Sequence, residues 1–142
     1  MAKIRAKARL IENFQVLSTN ERAHAFIFDL PASYKGTDIG PTALEAALMS
    51  LAGCAATIYA LVAKNSNVEL ERLEVVAEAE KPEDSPKLTS VKLRINVSGN
   101  VSDKILSALW RRTEENCPVL YIFRDSIPIE IEFKAATSLE QY

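Results

Sequence analysis

Between Thr42 and Ala63 the only charged residue is Glu45, and no other feature of the chain restricts its folding as much as this one. As a helix, the uncharged part from Ala46 to Ala63 would run roughly 27 Å, long enough to raise the question of a membrane span. Its composition points elsewhere: Ala, Gly, Ser and Thr dominate, and neither end carries the aromatic and strongly basic anchors of an interfacial boundary. The expectation is a buried helix of a soluble protein, with no membrane partner. A helix that is apolar all round must be covered on every side, and one small sheet covers only one. The remainder calls for a second helix or a second subunit.

The flanking segments have the period of strands. Ala2, Ile4, Ala6, Ala8 and Leu10 alternate with Lys3, Arg5, Lys7 and Arg9, a strand with one solvated basic face. Ser18-Thr19-Asn20-Glu21 offers turn-forming side chains before a second extended run, Ala23 to Leu30, so a hairpin or meander is expected. Leu73, Val75, Ala77 and Ala79 alternate with a largely acidic row, and Val91, Leu93, Ile95 and Val97 with Lys92, Arg94 and Asn96. These predict two antiparallel strands with facing charges. Ser102 is placed to cap a helix carrying Ile105, Leu106 and Leu109, which should end at Asn116 because Pro118 disfavours helical geometry at Cys117. A last strand is expected over Ile127, Ile129, Ile131 and Phe133, with Pro128 favouring an edge or strand-start position. The order is α+β with segregated elements, read as a single domain over 1–142.

Composition removes several functions. The 142 residues hold 17 Lys and Arg against 19 Asp and Glu, a net charge of -2 with no basic field for nucleic acid. Two Cys and one His cannot complete a four-ligand zinc site unaided, and no CxxC or HExxH spacing occurs, so no metal is expected. No phosphate loop or dinucleotide fingerprint appears, so no cofactor is expected either. Charges alternate where the apolar core of a signal peptide would stand, which makes a cytoplasmic location with reduced thiols the expectation.

The chemistry-bearing candidates are the two cysteines. Cys54 lies inside the apolar helix, beside Gly53, Ala55 and Ala56, and Cys117 lies where the second helix should end. Free cysteines commonly serve as small core hydrophobes, and these two can be read that way. The small neighbours of Cys54 equally leave room for a substrate, another side chain or a packed helix to approach its sulfur.

The run Gly36-Thr37-Asp38-Ile39-Gly40-Pro41-Thr42-Ala43-Leu44-Glu45, continuing through Ala46-Ala47-Leu48-Met49-Ser50-Leu51-Ala52-Gly53-Cys54, resembles the G-x-D-x-G-P-x-x-x-E-L-L-L-A-A-L-A-A-C block of the osmotically inducible protein C and organic hydroperoxide resistance superfamily. Cys117-Pro118-Val119 resembles its second cysteine motif. The resemblance implies an OsmC-like fold: an intertwined homodimer with the long helix at its centre and active sites where the subunits meet. It implies a cysteine-based peroxidase, with Cys54 attacking an organic hydroperoxide, Cys117 resolving the product as a disulfide, and a small dithiol or dithiol protein as reductant. A non-catalytic binding protein for a small apolar or thiol-bearing ligand is the alternative, and a purely structural disulfide a third.

The pattern departs from the family's peroxidases at one point. Their glutamate sits where this chain has Leu44, and Glu45 stands in the position seen in other relatives. Glu45 remains a candidate catalytic residue, although nine residues of unbroken helix would carry it about 13.5 Å along the axis from Cys54. Arg22 and Lys35 are the candidate cations for a Cys54 thiolate. Cys117 at a helix C-terminus should feel a partial charge that opposes its ionisation. Met49 and Tyr59, on the helix of Cys54, are read as core, His24 as a surface residue, and Trp110-Arg111-Arg112 as a packed indole beside solvated guanidiniums.

Overall fold

The computed structural model describes residues 1–135. Strands β1 (Ala6–Glu12), β2 (Gln15–Asn20) and β3 (Ala25–Phe28) are followed by helix α1 (Ala43–Asn65), strands β4 (Leu70–Glu80) and β5 (Ser90–Gly99), and helices α2 (Asp103–Asn116) and α3 (Pro118–Arg124). The architecture is α+β with two antiparallel sheets, ordered β1-β2-β3 and β4-β5.

Helix α1 begins where its sequence can satisfy the free N–H groups. The Thr42 hydroxyl accepts from the Glu45 N–H at 3.1 Å, and the Glu45 carboxylate accepts from the Thr42 N–H at 3.0 Å, a reciprocal capping box. One stripe of the helix, Leu51, Ala55, Tyr59, Val62 and Ala63, is buried against β4, α2 and α3. The opposite stripe, with Ser50, Gly53 and Thr57, stays open. The all-round apolar character of the run is therefore used on one face only within the chain. Met49 falls on the open side and is 57% exposed, which corrects its reading as core.

Two apolar clusters join the layers. Tyr59, Val62 and Ala63 meet Leu106 and Leu109, and the Tyr59 hydroxyl donates to the buried Leu106 carbonyl at 2.8 Å, locking α1 to α2. Leu51 and Ala55 meet Cys117 and Leu120, with Leu93, Val75 and Trp110 packed around them. The β4–β5 register supplies the sheet side: Leu73, Val75 and Ala77 oppose Val97, Ile95 and Leu93, while Glu78 opposes Lys92 and forms an ion pair with Arg94. That exposed pair contributes little to stability, as expected for a solvated face.

The structure alters three expectations. Ser18, Thr19 and Asn20 are not the turn but the end of β2; the turn falls one step later, where the Asn20 carboxamide oxygen accepts from the Arg22 and His24 N–H groups. Pro118 ends α2 and at once starts α3, because a missing N–H costs nothing at the first position of a helix. Residues Ile127 to Phe133 form no strand, since they pair with none of the strands among the described residues. The β1-β2-β3 meander also makes few contacts with the other elements.

Candidate active site

Cys54 sits in the middle of α1, half-buried, against the cluster of Leu51, Ala55, Cys117 and Leu120. Cys117 comes from the joint between α2 and α3 and is fully buried. Sixty-three positions separate them in sequence, and the kink at Cys117-Pro118 sets the end of α2 against the middle of α1, where the two thiols interact. Cys117 adopts the extended geometry (φ -84°, ψ 104°) that a residue before proline prefers.

The Cys117 thiol is held above its ordinary pKa. Burial is the main cause; the Leu120 N–H opposes it, the adjacent Cys54 thiol raises it further by hydrogen bonding and charge, and the Val119 N–H again lowers it. Its resistance to ionisation therefore arises from desolvation. The expected helix C-terminus effect is offset, because the same residue caps the start of α3. A charge already present on Cys54 would disfavour a second on Cys117, so the pair favours one thiolate at a time.

Gly53, next to Cys54 in the chain, faces open space: a methyl group built there would meet nothing within 4 Å. The Thr57 hydroxyl, one turn on, is tied to the Gly53 carbonyl at 2.8 Å. A cavity of about 620 Å³ lies between β5 and the helices, lined by Leu51, Leu93, Trp110, Leu120 and Phe123 but by neither sulfur. It shares Leu51 and Leu120 with the thiol cluster and backs it from the far side.

Glu45 is placed elsewhere. Its carboxylate is engaged in the capping box, which together with the Thr42 hydroxyl holds it below its ordinary pKa, and α1 runs unbroken from Ala43 through Cys54. Within its own chain it does not reach the thiols. Arg22 and Lys35 are likewise remote, Arg22 in the β2–β3 turn and Lys35 in a left-handed conformation (φ 70°) with its carbonyl accepting from Asn13 at 3.0 Å. His24 is a surface residue paired with Asn20, and the Arg112 guanidinium reaches the Ser66 hydroxyl at 3.2 Å.

One organising group was not singled out from the sequence. Asp29, 2% exposed, accepts from the N–H groups of Leu30, Thr37 and Ile39 and from the Thr37 hydroxyl at 2.5 Å, bonds that hold its pKa low. It ties down the loop that leads into α1. Gly36 and Gly40 pass so close to the Leu30 and Ile27 carbonyls that a side chain would collide with them, which explains both glycines of the motif. An acid followed eight and ten residues later by small or N–H-presenting loop positions was the available signal, but it resembles any turn.

The family described as OsmC-like protein matches residues 36–132. A search of curated proteins gave no match. Among solved structures, an OsmC-like protein from Mycoplasma pneumoniae is 17% identical with a TM-score of 0.75, covering 87% of this chain and 88% of the other. An organic hydroperoxide resistance protein OsmC from Legionella pneumophila is 22% identical with a TM-score of 0.64, covering 87% and 90%. One from Elizabethkingia anophelis is 18% identical with a TM-score of 0.65, covering 87% and 89%. At these identities the likeness establishes the fold.

Proposed function

We propose that this chain, which belongs to the OsmC-like protein family, is a thiol-dependent peroxidase that reduces organic hydroperoxides, with Cys54 as attacking and Cys117 as resolving thiol. The observation that carries this reading is the meeting of two free thiols from distant parts of the chain, one half-buried beside an open glycine and one fully buried. Relatives of the same fold that are organic hydroperoxide resistance proteins support the substrate class.

The Cys54 thiolate attacks the terminal oxygen of R–O–O–H and the O–O bond breaks. The sulfur becomes a sulfenic acid, and the leaving alkoxide takes a proton to give the alcohol. The Cys117 thiol then attacks the Cys54 sulfur, forming the S–S bond and expelling the hydroxyl, which leaves as water with the Cys117 proton. An external dithiol returns both sulfurs to thiols and leaves as its own disulfide, in keeping with a reducing cytoplasm.

The working unit we propose is a homodimer. The open stripe of α1 and the uncovered meander both call for apolar cover. Arg22 and Lys35 lie on or beside that meander, so the sheet of a second copy is a source for the cation that Cys54 needs. A second reading, a non-catalytic binding protein for a small apolar or thiol-bearing ligand, is favoured by one observation: the candidate acid Glu45 is engaged in capping α1.

One equivalent of an organic hydroperoxide separates the two. Peptide mapping should give an intramolecular Cys54–Cys117 disulfide that disappears in Cys117→Ala, leaving a trappable sulfenic acid. Unreacted thiols at neutral pH, or scattered sulfonates, would remove the peroxidase reading and leave the binding protein.

A further inference from the structure

The cavity of about 620 Å³ beside the thiol cluster has no part in the chemistry proposed above, since neither sulfur lines it. Its volume falls in the range of small-molecule sites, roughly 300–1,000 Å³. Leu51 and Leu120 form a buried floor, Leu93 and Ile95 of β5 one wall, and Trp110 of α2 and Phe123 of α3 the others. The exposed Thr89, Ser90 and Arg124 stand at the mouth with Glu114. We infer that this cavity binds a small uncharged amphiphile, an aliphatic chain ending in a hydroxyl, and that its occupant holds α3 in place.

The lining chooses the ligand. Large apolar side chains surround the body of the cavity, and the charged groups among its described lining residues are one acid and one base, Glu114 and Arg124, already joined at 2.7 Å. A carboxylate head would sit beside Glu114 and an ammonium head beside Arg124, each losing to one partner what it gains from the other. A hydroxyl accepts from the guanidinium and donates to the carboxylate, so it joins the pair without breaking it. The neighbouring hollow beyond Trp110 differs: Asn96, Asp103, Ser107 and Arg111 are among its walls, which leaves less apolar surface for an aliphatic chain.

The position also fits. The cavity lies on the side of α1 that carries the buried stripe, so a second copy on the open stripe would leave its mouth free. Leu120 and Phe123 belong to α3, which begins at Pro118, immediately after Cys117. A ligand resting on both side chains would steady the helix whose opening exposes the buried Cys117 sulfur. The inference requires no turnover at Cys54 and stands beside either reading of the function.

Trp110 is the only tryptophan of the chain, so its fluorescence reports the cavity directly. Titration of the full chain with 1-octanol should give a saturable change, with octanoate and octylammonium binding at least about tenfold more weakly. Val91→Phe, at a 38% exposed lining position, fills part of the cavity with a ring that suits a strand, and should raise the 1-octanol Kd about tenfold. No saturable change in the wild type, or the same Kd in a Val91→Phe chain that keeps its circular dichroism, would overturn the site. Tighter binding of either charged ligand would overturn the ligand class. Amide shifts on the wild type free the test from any variant: changes confined to β5, α2 and α3 support the cavity, and changes centred on Phe28 and Met49, which line a separate hollow, overturn it. In Cys54→Ser, where Cys117 is the sole thiol, alkylation by iodoacetamide should slow roughly tenfold when 1-octanol stands at about ten times its Kd, the effect of a ligand that binds only the closed form. An unchanged rate would overturn the hold on α3, and because that chain lacks Cys54, neither outcome depends on peroxidase turnover.

Discussion

Cys54 and Cys117 belong to one apolar cluster, and their backbones treat them differently. The sulfur of Cys54 rises from the centre of a 23-residue helix, half-buried, where every nearby N–H is already committed to the ladder. Cys117 lies at a break between helices and is fully buried. Burial holds the Cys117 thiol above its ordinary pKa, since removing a thiolate from water costs more than nearby N–H groups return. The difference teaches that exposure, as much as position along a helix, sets how two neighbouring thiols differ in their access to solvent.

The largest expected effect falls on Cys54. In Cys54→Ser, hydroperoxide consumption should drop roughly 10³-fold or more, as it does when a nucleophile is lost, with the circular dichroism spectrum unchanged. Equal turnover by the two proteins would end the distinction between the thiols. Alkylation of the native protein by iodoacetamide should modify Cys54 on the order of a hundredfold faster than Cys117, because the buried sulfur reacts only after local opening. Peptide mass spectrometry reads the order directly, and a faster Cys117 would invert the comparison.

Stability should rank the pair the other way. Cys117→Ala should cost about 1–2 kcal/mol in urea unfolding and Cys54→Ala less, because the first empties a fully buried site. The smallest effect is the pH dependence. A thiol whose pKa is raised on folding stabilises the folded state below its unfolded pKa, about 8.5, and that contribution is lost as pH rises through its higher folded value. Unfolding free energy should therefore decline as the pH rises above about 8.5 in the wild type, and Cys117→Ala should flatten part of that slope. An unchanged slope would mean that Cys117 is not the group responsible.

Much of the fold was legible because local rules and tertiary packing agree. Ser102 announced the start of α2, since its hydroxyl satisfies a free N–H group in any context, and the structure shows Thr42 and Glu45 doing the same for α1. The β4 and β5 rows followed from period 2 alone. The misses have physical causes of the same kind. Pro118 stops one helix and starts another with equal ease, so the sequence did not reveal α3. The turn after β2 needs an asparagine, and Asn20 supplies it from the end of the strand rather than from within the turn. Alternation over Ile127 to Phe133 shows that a strand is possible, but a strand exists only where another offers it a ladder.

The sequence by itself determined a long apolar helix carrying one thiol, a second thiol at the end of the next helix, antiparallel strands on either side, and a family block around Cys54, because capping, period and glycine spacing act over a few residues. Only the tertiary structure decided that Cys54 and Cys117 meet, that Glu45 is bound to the helix start, and that one face of α1 remains uncovered. Those outcomes depend on where α2 ends against α1, a relation between residues sixty-three positions apart that no local pattern encodes.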